Sequence, residues 1–272
     1  VGCALSSTQG LIAYQSNGSP LTTQTWLVAS SADGGWQAPL LAMSDGGTMQ
    51  GKIPAAMNAA GAGLVAWARL GPNGRTLDTA RLTPTGWVVE PETVLVANQP
   101  QSLGVGVDDV GTMVVTWFDA VGLTYRAIVR VGGVWSAPTT VFVATSNPIA
   151  CTNSDVQVVP TAGGGFTVFA CVGTMVGVQV LARSWSGGMW GTTDVVATLA
   201  GAGPLLVKAD HAGLAWLPSD TAGRVLRANG TWGPLFTQPG PGVNGTLPVV
   251  SPGGRTGFVY DLDSHEAFLE GP

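Results

Sequence analysis

The chain has 272 residues, of which 45% are apolar and 10% charged, with a net charge of −5; this is enough apolar material for a sizeable core, and it excludes a disordered chain. Eleven Lys and Arg against sixteen Asp and Glu form no basic stripe that could track phosphates, so nucleic acid is not an expected partner. Apolar runs such as Met113 to Val115 and Val141 to Val143 fall far short of the ~20 residues that a membrane-spanning helix needs.

Forty Gly and eighteen Pro without a G-X-Y period make the sequence turn-rich and point to an all-β class. At the start, Val1-Gly2-Cys3-Ala4 has the form of a bacterial lipoprotein cleavage site, in which Cys3 would be lipidated. The register of the strands that follow gives the competing reading, Cys3 on an ordinary inner strand, and that is the reading adopted.

One unit is then written about six times, each copy opening with a turn that ends in Gly. The turns are Ser7-Thr8-Gln9-Gly10, Asn58-Ala59-Ala60-Gly61, Asp108-Asp109-Val110-Gly111, Pro160-Thr161-Ala162-Gly163, Asp210-His211-Ala212-Gly213 and Ser251-Pro252-Gly253-Gly254. In most of them an Asn, Asp or Ser can bond the turn backbone while Gly accepts positive φ, which reverses a strand at little cost. A short apolar strand ending in an aromatic follows each turn: Leu11 to Tyr14, Leu64 to Trp67, Met113 to Trp117, Phe166 to Phe169, Leu214 to Trp216 and Phe258 to Tyr260. A third strand comes next, as in Thr76 to Leu82 or Val178 to Trp185, and then an outer strand that opens with Trp36, Trp87, Trp135, Trp190 or Trp232. Pro39 and Pro138 stand three residues beyond their Trp.

Four short strands per repeat match one blade of a β-propeller. The expected fold is all-β, a six-bladed β-propeller in a single domain over 1–272, with blades at approximately 1–50, 51–100, 101–150, 151–203, 204–245 and 246–272. Cys3, Ala55, Val105, Val158 and Val207 would stand on the inner strands, and Trp67, Trp117, Trp216 and Tyr260 would pack face against face between blades. The last unit is short of a fourth strand. Cys151 and Cys171 lie at opposite ends of an expected hairpin, close to the offset of a bridging pair, and Cys3 is left over.

Ser31-Ala32-Asp33-Gly34-Gly35-Trp36, and less fully Ser186-Gly187-Gly188-Met189-Trp190, resemble the Asp-box hairpin of sialidase-like propellers. Arg224-Val225-Leu226-Arg227-Ala228-Asn229-Gly230-Thr231-Trp232 resembles the repeats of six-bladed fucose-binding lectins. The resemblance implies the fold, whereas activity does not travel with it. A sialidase would need three Arg that clamp a carboxylate, a Tyr nucleophile with a Glu partner, and an Asp acid. Only Lys52-Ile53-Pro54 approaches the Arg-Ile-Pro of that family, and the three Tyr, at 14, 125 and 260, offer no evident nucleophile.

Arg81, Arg130, Arg183 and Arg227 recur shortly before the outer Trp. Each could offer guanidinium donors to sugar hydroxyls beside a stacking indole, or could lie over a neighbouring Trp as a structural residue. Trp26 and Trp185 break the repeat pattern and are candidates for exposed ligand contacts. Asp261, Asp263 and Glu266, with His265, could hold Ca²⁺, or could be a solvated hairpin tip, and no fixed metal spacing decides between them. His211 is the only other histidine, no Gly-x-Ser-x-Gly elbow or phosphate loop occurs, and the sequons at Asn17, Asn229 and Asn244 read as Asn-Gly turns.

The expectation is a recognition module of the bacterial surface or exterior, binding glycan or a protein partner without catalysis or a cofactor. The alternatives are a glycan-cleaving enzyme using Asp33, Asp119 or Asp261, for which paired carboxylates are needed, and a purely structural propeller.

Overall fold

Short apolar strands between Gly-ended turns can bury their backbone polar groups only by pairing with their neighbours in hairpins. The computed structural model is built in this way. It describes residues 2–6, 9–18, 22–30, 35–45, 53–71, 74–96, 100–144, 156–174, 177–199, 205–209, 212–217, 222–226, 232–233, 236–237, 247–250, 256–262 and 265–270. Among these every regular element is a strand, and the strands pair antiparallel.

The chain divides into two compact units, Val1–Val143 and Ala144–Pro272. In the first unit β1 (Gly2–Leu5), β2 (Gly10–Gly18), β3 (Thr22–Ala29) and β4 (Leu40–Asp45) form a sheet in chain order. A second sheet is β5 (Ala55–Met57), β6 (Gly63–Gly71), β7 (Gly74–Thr83) and β8 (Gly86–Val96). A third is β9 (Gln101–Val107), β10 (Met113–Asp119) and β11 (Thr124–Val131), with β12 (Val134–Trp135) and β13 (Thr139–Val143) both pairing with β11.

The second unit repeats the arrangement. Its first sheet is β14 (Gln157–Pro160), β15 (Phe166–Thr174), β16 (Gly177–Ser186) and β17 (Met189–Leu199). The next is β18 (Leu205–Ala209), β19 (Ala212–Leu217), β20 (Ala222–Leu226) and β21 (Phe236–Thr237). The last is β22 (Leu247–Val250), β23 (Thr256–Leu262) and β24 (His265–Glu270), a sheet of three strands.

Two of the inner turns work by the chemistry expected of them; Ser7, Asp210, His211 and Ser251 to Gly254, in three of the others, lie outside the described residues. Asn58 Oδ1 accepts from Ala62 N at 2.9 Å, and Gly61 N donates to Asn58 O at 3.0 Å with Gly61 at φ +84°. One repeat later Asp108 Oδ1 accepts from Thr112 N at 2.7 Å and Val110 N at 3.1 Å, and Gly111 has φ +82°. Asn58 also has a donor, and its Nδ2 reaches Asp108 O at 2.8 Å, tying one turn to the equivalent turn of the next sheet. On the outer side, Gly132-Gly133 and Gly187-Gly188 all take positive φ in two-residue hairpins.

Proline explains why the fourth strand differs between sheets. Having no N–H, it cannot extend a ladder. Trp36 makes only an isolated bridge to Ser30 before β4 resumes beyond Pro39, and β12 and β13 are separate strands on either side of Pro138. β8 runs through Pro91 because its register slips there, with Leu77 facing Val94 and Thr79 facing Glu90.

Each core lies between successive sheets. Leu11, Ala13, Leu27 and Ala29 of the first sheet pack with Val65, Trp67, Ala80 and Leu82 of the second, and Trp87 joins them. Leu64, Ala66 and Leu77 on the opposite face of the second sheet pack with Val105, Val115, Trp117 and Ile128 of the third, and Trp135 joins there. Trp67 and Trp117 thus belong to different cores, each among aliphatic side chains. This corrects the expectation that these rings stack on one another: the strand's period of two turns the aliphatic residues beside each Trp toward the next sheet.

Candidate functional site

The repeated arginines anchor strands. Arg81 on β7 donates from Nε to Glu90 Oε1 at 2.9 Å, with Nη2 at 2.7 Å from the same oxygen, and Arg130 Nη2 on β11 stands 3.6 Å from it. Trp135 Nε1 donates to the other carboxylate oxygen at 2.9 Å, so one glutamate collects two sequence-predicted arginines and an outer Trp. Burial alone would raise the Glu90 pKa. Hydrogen bonds from Trp135 and Arg81, with the charges of Arg81 and Arg130, outweigh it and hold the carboxyl below its usual range. Burial, and then the neighbouring Arg81 charge, lower the Arg130 pKa, and Glu90 opposes them.

In the second unit Arg183 donates from Nε to Gly191 O at 2.8 Å, the carbonyl just after Trp190. Arg224 does the same to Gly233 O at 3.1 Å, just after Trp232. Arg224 also lies over the Trp232 ring at 6.0 Å from its centroid and donates from Nη1 to Val196 O in the neighbouring sheet at 3.3 Å. Arg224 was missed in the sequence, although it precedes its Trp by eight residues much as Arg183 precedes Trp190 by seven. Arg227 lies outside the described residues. Glu90 was also missed; its signal was its place three residues after an outer Trp, where Pro39 and Pro138 stand in other repeats.

The tryptophans separate. Trp185 is buried at 8% exposure, 6.0 Å from Phe166, which corrects the expectation of an exposed contact: it faces Trp190 across a close hairpin and packs inward. Trp26 is half-buried opposite Tyr14, with Nε1 donating to Ser16 Oγ at 3.0 Å. Trp36 is 53% exposed, and Leu5, Leu40 and Leu41 of the first sheet are exposed as well. Its ring and the Leu5 side chain converge over Gly10.

The acidic candidates lie apart in the chain. Asp119 Oδ1 accepts from Val121 N, and its other oxygen is 3.9 Å from Arg126 Nη1. Asp261 pairs with Glu266 across the β23–β24 hairpin, and Asp263, Asp33 and His211 lie outside the described residues. Buried Asp78 accepts from Arg69 Nε and Thr76 Oγ1. Tyr125 is buried between Phe118 and Phe142, and burial pushes its phenol pKa up. Cys171 is disulfide-bonded and Cys3 is a free, exposed thiol; Cys151, the expected partner of Cys171, lies outside the described residues. No described helix is long and apolar enough to cross a membrane.

No protein-family model and no curated protein matches the chain. Solved structures match in fold. A PL25 polysaccharide lyase, an ulvan lyase bound to [GlcA(1-4)Rha3S], has TM-score 0.56 at 12% identity over 99% of this chain and 81% of that one. The Hadza microbial sialidase Hz136 has TM-score 0.50 at 14% identity over 99% of this chain and 64% of its own. A prolyl endopeptidase has TM-score 0.55 at 14% identity over 98% of this chain and 38% of its own. The chain thus spans less than two thirds of the sialidase and of the endopeptidase. At these identities the likeness is one of fold: an all-β, propeller-like arrangement of antiparallel sheets, which by itself assigns no activity.

Proposed function

We propose that the six sheets are the blades of a six-bladed β-propeller that recognises glycan without cleaving it, on the bacterial surface or outside the cell. The observation that carries the reading is the likeness in fold, over 99% of this chain, to a polysaccharide lyase and a sialidase, two proteins that act on glycans. Binding rather than cleavage is supported by how the described acids are used: Asp78 and Glu90 hold arginines, and Asp108 closes a turn. A Tyr nucleophile would need a reachable phenol, and Tyr125 is buried with its pKa raised. The disulfide at Cys171 supports an oxidising compartment. The indole of Trp36 offers an open face for a pyranose ring, with Trp26 on the same sheet as the second candidate.

The test is a glycan-array screen of the folded chain beside Trp36→Ala and Trp26→Ala. Binding to a related set of glycans, weakened in Trp36→Ala, supports the reading. Silence from protein shown by circular dichroism to be folded rejects it, and shifts the role to a protein partner or to structure alone.

A further inference from the structure

The joint between the second and third sheets is held by a cluster that the proposed recognition role leaves unused. Glu90 on β8 accepts from Arg81 of β7 and from the Trp135 indole of β12, and it forms an ion pair with Arg130 of β11 at 3.6 Å. Thr79 Oγ1 stands 3.4 Å from Glu90 Oε2 and 2.9 Å from Thr93 Oγ1, and Thr93 Oγ1 donates to the Glu90 carbonyl at 2.8 Å, which fixes the backbone at the slip in β8. Among the described residues, the charged groups facing Glu90 are therefore Arg81 from its own sheet and Arg130 from the next. In the other repeats the position three residues after the outer Trp is Pro39, Pro138, Thr193 or Leu235, none of them a carboxylate, and the buried Trp87 Nε1, which packs toward the first sheet, has no hydrogen-bond partner.

We propose that Glu90 is an acid-released lock between the second and third sheets. A proton added to the carboxylate removes the negative charge that stands between Arg81 and Arg130, which then face one another as like charges, and Trp135 loses a charge-assisted bond. Because the folded carboxyl is held below its ordinary range, the lock is fully engaged above the unfolded-state pKa and is lost as pH falls through the lower, folded one.

The experiment follows hydrogen exchange of peptides from β8 and β11–β12, with urea unfolding of the intact chain, from neutral to acid pH. The wild type should lose protection in these peptides on acidification, this one proton adding at most about tenfold per pH unit to the unfolding constant. Glu90→Gln should exchange fast there at neutral pH and should lack that share of the acid slope. Wild-type protection and wild-type slope in Glu90→Gln overturn the proposal. Should that variant fail to fold, Trp135→Phe decides, because it keeps the ring and removes one donor to the carboxylate. Release at higher pH than in the wild type supports the lock, and an unchanged release pH overturns it.

Discussion

Replacing Asn58 tests whether the inner turns tie one sheet to the next. Its side chain, 4% exposed, makes two hydrogen bonds, from Ala62 N at 2.9 Å and to Asp108 O at 2.8 Å. Asn58→Ala removes both: the Ala62 N–H loses its acceptor, while the Asp108 carbonyl loses one of two donors and keeps Gly111 N at 3.1 Å. A hydrogen bond contributes about 1 kcal/mol net and an orphaned buried group costs about 1–3 kcal/mol, so the loss should be about 2–4 kcal/mol. Asn58→Asp separates the two roles. A carboxylate can close the turn, as Asp108 does with Thr112 N at 2.7 Å, but it cannot donate to the next turn and it sets a negative charge beside a carbonyl. Its deficit should be about 1–3 kcal/mol at neutral pH and should shrink in acid, where the protonated carboxyl donates again. Urea denaturation with an unchanged m-value reads both variants. An Asn58→Ala protein within about 0.5 kcal/mol of the wild type would show that this side chain does not tie the two turns together.

Gly111→Ala meets open space and Gly61→Ala meets only the movable end of the Gln9 side chain, so each should lose mainly the backbone term of its positive φ, about 1–2 kcal/mol by chemical denaturation; an unchanged stability in both would contradict the left-handed turn positions. Leu77→Ala in the core between the second and third sheets should cost about 2–5 kcal/mol by chemical denaturation, while Val134→Ala, 73% exposed, should stay within about 0.5 kcal/mol. A maleimide reagent should label one thiol, Cys3, on the unreduced chain and all three after reduction in denaturant; two or more on the unreduced chain would contradict the bonded state of Cys171.

What could be read from the sequence was local. Gly61 and Gly111 announce left-handed turn positions, and the Asn or Asp three residues before each announces the acceptor that closes the turn. Hairpin order followed from those turns. The outer-strand breaks were half legible, since Pro39 and Pro138 were visible but their effect on the ladder depends on which N–H the neighbouring strand needs. What stayed hidden lies between repeats. Glu90 gains its meaning only when β11 and β12 come alongside β8, and no spacing in one repeat reports a partner 45 residues away. Trp185 failed as an exposed candidate for the same reason: its departure from the repeat pattern reflects packing on Phe166 rather than a surface. Arg224 was overlooked in favour of Arg227, three residues on, because the aligned feature was the outer Trp, whereas the conserved contact in space is to the glycine carbonyl after it.

Recognition without cleavage, as proposed, is tested by incubating the folded chain at length with a glycan that it retains on the array, then recovering the glycan and determining its size and unsaturation by mass spectrometry. A non-cleaving propeller returns the bound glycan intact. Shortened or unsaturated product, absent from a mock incubation, would contradict it and make the chain an enzyme.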